Sequence, residues 1–231
     1  MGKTNIIQNM MPDEAHSAKL LNLDDTFEFN CRRCGKCCHN RNDLILTPYD
    51  LFGIASHYRR SPKEIAERYC GVIEGSQSKL PIPRVKPIPP KNTCPFLYNR
   101  KCGVHAMKPV LCRAYPLARV YRSDGMGYIY NGANCKNEPR SITVRDWMGS
   151  AASDEAVQAG KMWFDIASFI APLIQPEKYV SKETRLTDLE TVFNLLWLEY
   201  DMSKPFLAQF QDNCGRLREF FAERGEWGWS R

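Results

Sequence analysis

The sequence lacks an apolar run long enough to cross a membrane. Its longest uncharged apolar stretch, Ile166–Pro176, is far shorter than the roughly 20 residues that a transmembrane helix needs. The N-terminal segment Met1–Leu20 mixes charged and amide side chains and contains no apolar core of a signal peptide. We therefore expect a cytoplasmic protein with no membrane partner.

The sequence also lacks the common motifs of nucleotide-binding and hydrolytic enzymes. It contains no P-loop, no G-x-S-x-G, no H-E-x-x-H, and no G-x-G-x-x-G after a predicted strand. The last absence argues against an ordinary Rossmann-type site for S-adenosylmethionine. Whether the chain is an enzyme is left open, and the sequence assigns no catalytic or cofactor-binding residue.

Positive charge is not concentrated in a basic arm. The net charge is +6, and no long block of lysine and arginine is present. The pairs Arg32-Arg33 and Arg100-Lys101 are compatible with a nucleic-acid or protein adaptor, but most aromatic residues fall on predicted helical stripes. Nucleic acid is therefore a disfavoured partner, and a protein or redox partner remains open.

Cysteine, by contrast, is abundant. The chain has 10 cysteines, a density that indicates disulfides in a secreted protein but metal binding in a reducing cytosol. Cys70 near a helix end and Cys214 on an apolar stripe are predicted to be small core residues. The other cysteines form two groups and are the predicted metal ligands: Cys31, Cys34, Cys37, Cys38, Cys94, Cys102, Cys112 and Cys135.

The first group has the spacing C-x2-C-x2-C-C, from Cys31 to Cys38. A C-x2-C pair allows two thiolates to bind one metal, and Gly35 suits a turn that often needs positive φ. The spacing is typical of zinc knuckles, and C-x2-C-x2-C is also typical of [4Fe–4S] ferredoxins. Adjacent side chains on an extended backbone point to opposite sides, so we expect Cys37 and Cys38 not to serve one metal together.

The second group adds four thiols, and the spacing does not divide the ligands between one site and two. His105, three residues after Cys102, is an alternative ligand but is better explained as an ordinary loop histidine. Cations near a thiolate centre stabilise its negative charge without selecting zinc or iron. Such cations surround both groups: Arg32, Arg33, Lys36, Arg41, Arg100, Lys101, Lys108 and Arg113.

The pattern of turns and periodicities predicts an α+β fold. Residues 1–25 show no periodicity and form a predicted flexible leader. Residues 26–140 form a predicted small cysteine-rich metal-binding domain with short helices and a β-hairpin. Residues 141–231 form a predicted helical C-terminal region, since apolar side chains recur there every three or four positions.

Local signals place several elements. Capping boxes predict short helices that begin after Thr47 and Ser61, and Asp50 is explained as a capping acid. The proline-rich segment 81–90 predicts an extended loop or edge strand, and strands over 117–121 and 127–131 predict a hairpin. Segment 94–112 is predicted to be loops with one helical turn. Later helices are predicted to begin at Ser153, Thr187 and Ser203.

Four motifs follow one another in the chain. They are Phe29-x-Cys31-x2-Cys34-Gly35-x-Cys37-Cys38, Leu46-Thr47-Pro48-x-Asp50, Cys94-Pro95-Phe96-Leu97, and Cys102-x-Val104-His105-x2-Lys108-Pro109-x2-Cys112-Arg113-x-Tyr115-Pro116. Together, over residues 27–137, they resemble the YkgJ-type cysteine-cluster family. The resemblance implies a zinc- or iron-chelating domain, and the position of His105 is often tyrosine in that family.

The leading hypothesis is therefore a metal-chelating protein. It would bind zinc or iron, the latter also as a [4Fe–4S] cluster, in a structural or electron-transfer role. Flagellin lysine-N-methylase carries a related cysteine domain. That relation implies the alternative hypothesis, an iron–sulfur- or zinc-dependent protein-modifying enzyme.

Overall fold

A computed structural model of the chain describes residues 20–122, 125–133 and 138–225. They combine helices with short paired strands, so the predicted α+β class is confirmed. The chain divides into two compact units that alternate along the sequence. Unit 1 comprises Met1–Ile45 and Val85–Val157, and unit 2 comprises Leu46–Arg84 and Gln158–Arg231. The domain boundary at residue 140 stays a prediction, and most of the predicted leader lies outside the described residues.

Unit 1 is built largely from antiparallel strand pairs. The pairs are β1 (Thr26–Glu28) with β8 (Ser141–Thr143), β4 (Leu97–Tyr98) with β5 (Lys101–Cys102), and β6 (Leu117–Arg122) with β7 (Gly125–Tyr130). The β6–β7 pair confirms the predicted hairpin, although turn residues 123–124 lie outside the described residues. The β4–β5 hairpin was not predicted, because two-residue strands are too short to show alternation.

The helical segments of unit 1 are short. They are α3 (Val110–Ala114), α4 (Val144–Met148) and the 3-10 turns Lys36–Cys38 and Gly149–Ala152. Helix α3 is the helical turn predicted within 94–112, displaced toward its end. Buried Phe27, Phe29, Tyr128 and Met148 belong to a core against which partly buried Trp147 packs. This core supports the loops that carry the cysteines.

Unit 2 is mainly helical. Its helices are α1 (Pro48–Tyr58), α2 (Pro62–Tyr69), most of α5 (Asp154–Ile170), α6 (Lys182–Phe193) and α7 (Phe206–Gly225), with a 3-10 turn at Pro176–Lys178 and a π-helical segment at Asn194–Leu198. Strand β2 (Cys70–Glu74) pairs with β3 (Pro81–Val85), whose last residue belongs to unit 1. The strand β3 confirms the extended structure predicted over 81–90.

Both predicted capping boxes are confirmed. The Thr47 hydroxyl accepts from the Asp50 amide at 3.1 Å, and the Asp50 carboxylate accepts from the Thr47 amide at 3.0 Å. Ser61 and Glu64 form the same reciprocal pair at the start of α2. Each pair satisfies amides that have no partner inside the helix, which is why these two starts are legible in the sequence.

The predicted helix start at Thr187 is wrong. Helix α6 begins at Lys182, because the Ser181 hydroxyl accepts a hydrogen bond from the Thr184 amide at 3.1 Å. Thr187 lies inside the helix, and its hydroxyl donates to the Glu183 carbonyl at 3.1 Å. The first turns of α6 are mostly polar and show no apolar stripe, so periodicity alone did not detect them.

The core of unit 2 contains two packed tryptophans. Trp163 meets the fully buried Trp197 edge to face at 5.1 Å, and the Trp197 indole donates to the Leu46 carbonyl at 3.1 Å. Cys70 and Cys214 are buried, which confirms their prediction as core residues. Among the described helices, none has the length and apolarity that a membrane span requires.

Candidate metal centre

The first cysteine group folds into a tight turn. Gly35 has φ +74°, as predicted, and it precedes the 3-10 turn Lys36–Cys38, in which the Cys38 amide donates to the Gly35 carbonyl at 2.9 Å. The Arg33 amide donates to the Cys31 sulfur at 3.4 Å. Backbone amides directed at sulfur stabilise a thiolate and are a feature of thiolate metal sites.

Cys37 and Cys38 do not lie on the extended backbone from which their separation was predicted. The two residues lie in a 3-10 turn, where successive side chains are not on opposite sides. Their thiols are hydrogen-bonded to each other. The adjacent pair therefore presents both sulfurs to one region.

Backbone contacts bring the second cysteine group to the first. The Cys94 amide donates to the Cys38 carbonyl at 2.8 Å. The chain then passes through the β4–β5 hairpin, which ends at Cys102. Cys112 lies in the first turn of α3, where its amide donates to the Pro109 carbonyl at 2.9 Å. Cys94 and Cys38, which are 56 positions apart, thus lie next to each other.

Thiols of both groups line a small inner space of about 30 Å³. This volume accommodates a particle about the size of one water molecule. The lining cysteines are Cys37, Cys38, Cys94, Cys102 and Cys112. Arg41 and Lys108 line the same space, so thiols and cations are adjacent.

A larger outer cavity of about 510 Å³ also lies within unit 1. Six cysteines line it: Cys31, Cys34, Cys37, Cys38, Cys102 and Cys112. The inner space and the outer cavity therefore share four thiols. Of the predicted ligands, only Cys135 is unplaced, because it lies outside the described residues.

Thiol pKa values differ within the group. The hydrogen bond from Cys38 and the charges of Lys108 and Arg41 outweigh burial and lower the pKa of Cys37 to about 6. The same hydrogen bond, together with burial, raises the pKa of Cys38. Burial is the main reason why the pKa of Cys94 is raised. Burial likewise raises the pKa of Cys112 to about 12. Without a bound cation, burial and mutual repulsion favour one thiolate among neutral thiols.

Arg41 is the cation most firmly held at the inner space. Its side chain is only 13% exposed, and its Nε lies 2.9 Å from an oxygen of Asp43. The two atoms form an ion pair but are not aligned for a hydrogen bond. A second nitrogen of Arg41 approaches the Cys37 carbonyl at 3.5 Å. Its placement next to the thiols fits the predicted role of cations near a thiolate centre.

The two histidines near the cysteines have different surroundings. His105 lines the outer cavity but not the inner space, and burial followed by the charges of Lys108, Arg113 and Arg33 lowers its pKa. The His39 ring is hydrogen-bonded to the Thr93 hydroxyl at 3.0 Å. Neither placement adds a nitrogen ligand to the thiols of the inner space.

The donor chemistry fits zinc or an iron–sulfur centre. Within the ranges that the structure describes, no three His, Cys, Asp or Glu side chains form a group close enough to hold one metal ion. The thiols nevertheless face a common space, and no described carboxylate lines it. Soft thiolate donors without carboxylates suit zinc and iron–sulfur clusters rather than magnesium or calcium.

An aromatic wall of the outer cavity was missed from the sequence. Phe29, Tyr115 and Trp147 line the cavity, and Phe29 meets Trp147 edge to face at 5.1 Å. Phe29 and Tyr115 belong to the cysteine motifs, and this proximity in sequence was a signal that their rings lie near the cysteines. Trp147 lies on α4, beyond those motifs, and no sequence signal connected it with the cysteines.

A comparison with known families agrees with this geometry. The family model CxxCxxCC, described as "Putative zinc- or iron-chelating domain", matches residues 30–145. The matched range holds every predicted ligand and just over half of the chain. No curated protein and no solved structure matches the chain significantly. The chain therefore belongs to the CxxCxxCC family of zinc- or iron-chelating domains.

Proposed function

We propose that the chain binds zinc or a [4Fe–4S] cluster through one continuous thiolate centre, which serves a structural or electron-transfer role. The thiols of the inner space supply the principal ligands. One zinc or one [4Fe–4S] cluster takes four thiolates. Cys31 and Cys34, at the outer cavity, and Cys135 are therefore alternative ligands to the thiols of the inner space. The observation that carries this proposal is the convergence of thiols from both cysteine groups on one space of about 30 Å³.

The surroundings support thiolate rather than thiol chemistry once a metal is bound. A bound cation removes the repulsion that keeps neighbouring thiols neutral, so metal binding releases protons. Arg41 and Lys108 line the inner space and offset the negative charge of a centre with four thiolates. Zinc would supply a crosslink between the two cysteine groups, whereas an iron–sulfur cluster would supply one-electron transfer.

Anaerobic purification followed by metal analysis and a visible spectrum tests the proposal. Stoichiometric zinc in a colourless protein supports the structural role. Iron and acid-labile sulfide with broad visible absorption support the electron-transfer role. A protein that retains no zinc after incubation with zinc, and no iron after anaerobic incubation with iron, sulfide and a thiol reductant, would contradict thiolate chelation.

A matched pair of cysteine substitutions locates the centre. Cys38→Ser is expected to lower metal affinity by more than about tenfold, because Cys38 lies among the converging thiols and serine binds these metals poorly. Cys214→Ser is the control, since Cys214 is buried in unit 2. It should leave metal content unchanged and cost about 1–3 kcal/mol of stability for a buried hydroxyl. Equal metal loss in both variants would argue against the assignment.

The outer cavity gives one reason to keep the enzyme alternative. Its volume of about 510 Å³ falls in the range of small-molecule sites, roughly 300–1,000 Å³. An iron–sulfur- or zinc-dependent protein-modifying enzyme would need such a space beside its metal. Calorimetry of the metal-loaded protein with S-adenosylmethionine tests the methyl-transfer form of this alternative, and absence of binding removes it.

A further inference from the structure

We propose that the outer cavity binds a small organic anion with a planar apolar body, beside the metal centre. This proposal rests on the proposed function, because it takes the metal to occupy the side of the cavity that the cysteines line. Three features of the described residues carry it. They are a surplus of volume, a surplus of positive charge, and a fixed aromatic wall.

The volume of the outer cavity exceeds what a metal needs. The inner space of about 30 Å³ already has the size of a single ion or water molecule. The outer cavity of about 510 Å³ has room for many more atoms. Even a cluster that extends into it from the shared thiols leaves space for a drug-sized or smaller ligand.

Positive charge at the outer cavity also exceeds what the metal centre needs. Four cationic residues that line the cavity form no ion pair within the described ranges: Arg33, Arg100, Lys101 and Lys108. Arg32 differs, because it pairs with Glu138 at 3.3 Å. Zinc with four thiolates carries two negative charges, so a net positive charge remains. No described Asp or Glu lines the cavity.

The cations act on a common region. Arg33, Lys108 and His105 line the same cavity. Arg113 is occupied, since it donates to the His105 carbonyl at 2.9 Å. Lys108 also lines the inner space with the thiols. Arg33, Arg100 and Lys101 line only the outer cavity and remain available to a ligand. A cationic ligand such as S-adenosylmethionine is therefore disfavoured here, and an anion is favoured.

The aromatic wall is held in place from behind. The Trp147 indole donates to the Ala114 carbonyl at 3.1 Å. Phe29 contacts Trp147 at 5.1 Å and Tyr115 at 6.4 Å, both edge to face. Rings fixed in this way offer an apolar surface without loss of side-chain entropy on binding, which favours a planar apolar partner.

Two of the cationic residues that line the cavity have strained backbone conformations. Arg33 has φ +52° and Arg100 has φ +62°, and Asn99 next to Arg100 has φ +46°. Residues with a Cβ rarely adopt these left-handed conformations, and such strain is concentrated at ligand sites. The fold therefore holds two cavity-lining arginines in unfavourable backbone conformations.

The test uses the metal-loaded chain and two probes with the same ring framework. The anionic probe is 1-anilinonaphthalene-8-sulfonate, and the neutral probe is N-phenyl-1-naphthylamine. Fluorescence titration is expected to show one bound sulfonate probe per chain, with at least about tenfold weaker binding of the neutral probe, which is 1.4 kcal/mol. Equal binding of both probes would overturn the proposal.

Substitutions then locate the site. The double variant Arg33→Gln and Arg100→Gln should weaken binding of the sulfonate probe by about tenfold or more, and lysine at both positions should retain most of it. The control, Lys63→Gln with Lys161→Gln, removes two exposed positive charges from unit 2. Equal losses in the glutamine variant and this control would overturn the proposal.

Metal content is measured in every sample so that the two proposals fail separately. If the chain binds no zinc or iron, the proposed function fails. If metal binds stoichiometrically but the sulfonate probe does not bind, the anion proposal alone is overturned.

Discussion

The two units use cysteine in opposite ways. In unit 1 the described cysteines are exposed, half-buried or buried around shared spaces, with Arg41 and Lys108 beside them. In unit 2 Cys70 and Cys214 are each buried within an apolar core. The two units therefore differ in the neighbours of their cysteines, which are cations and other thiols at the inner space of unit 1 and apolar side chains in unit 2.

The units also differ in how their charges are arranged. Unit 2 pairs its cations internally, as in Arg224 with Asp188 at 2.7 Å and Arg185 with Glu74 at 2.8 Å. Unit 1 directs cations such as Arg33 and Lys108 to a cavity without a described acid. These cations of unit 2 are paired within the unit, whereas Arg33 of unit 1 lines the cavity without an ion pair among the described residues.

The largest predicted effect is that of metal removal. Treatment with a strong chelator should reduce amide protection in the turns that carry the cysteines of unit 1 by more than about tenfold, because folding and metal binding are coupled at thiolate sites. The helices α5 and α7 of unit 2 should keep their protection. Hydrogen exchange with mass spectrometry measures both regions in one sample.

The control for this prediction is the chelated protein after addition of excess zinc, or of excess iron with sulfide and a thiol reductant under anaerobic conditions. It should restore protection in unit 1. If the amide protection of both units is the same with and without chelator, the proposal that only unit 1 depends on metal is contradicted.

The next effect concerns the apolar core of unit 2. Trp197→Ala should lower the free energy of unfolding by about 3–5 kcal/mol, because it leaves a cavity beside Trp163 and removes a hydrogen bond to Leu46. Trp197→Phe, which keeps a ring, should cost less. Denaturant titration measures the change, and metal content should be unaffected. Loss of metal from a folded Trp197→Ala variant would contradict the proposal that the metal is bound by unit 1.

A smaller effect is expected from the buried carboxylate of unit 2. Asp188 accepts from Arg224 at 2.7 Å and from the Tyr179 hydroxyl at 3.0 Å. Asp188→Ala should cost about 1–3 kcal/mol, since Arg224 is partly exposed and water can replace its partner. Lys204→Ala, which breaks an exposed pair with Asp201, should cost less than about 1 kcal/mol. If thermal denaturation shows the same loss of stability for Asp188→Ala and Lys204→Ala, the stabilising role of the Asp188–Arg224 pair is contradicted.

Some elements of the fold could be predicted from the sequence because the interactions that form them are local. The capping boxes at Thr47 and Ser61 involve residues only three positions apart, and both helices begin there. Gly35 also needs only its own backbone to specify a left-handed turn. Ser181 shows the limit, because its cap precedes a polar helix turn that no periodicity marks.

The arrangement of the site depended on contacts between distant residues. The cysteines were recognisable by type and spacing, but the contact of Cys94 with Cys38 joins segments that sequence order separates. The position of Trp147 next to the cavity follows from packing against Phe29. The pairing of the Cys37 and Cys38 thiols depended on a 3-10 turn that the spacing alone does not specify.

Differential alkylation of each cysteine tests the central claim most directly. Cys31, Cys34 and Cys37 are exposed in the described structure, so burial alone does not protect them from a thiol reagent. In the metal-loaded protein Cys37, which lines the inner space, should resist alkylation, and chelation should make it reactive, while Cys70 and Cys214 should not change. Rapid alkylation of Cys37 in a chain that retains stoichiometric metal would contradict the thiolate centre proposed for unit 1.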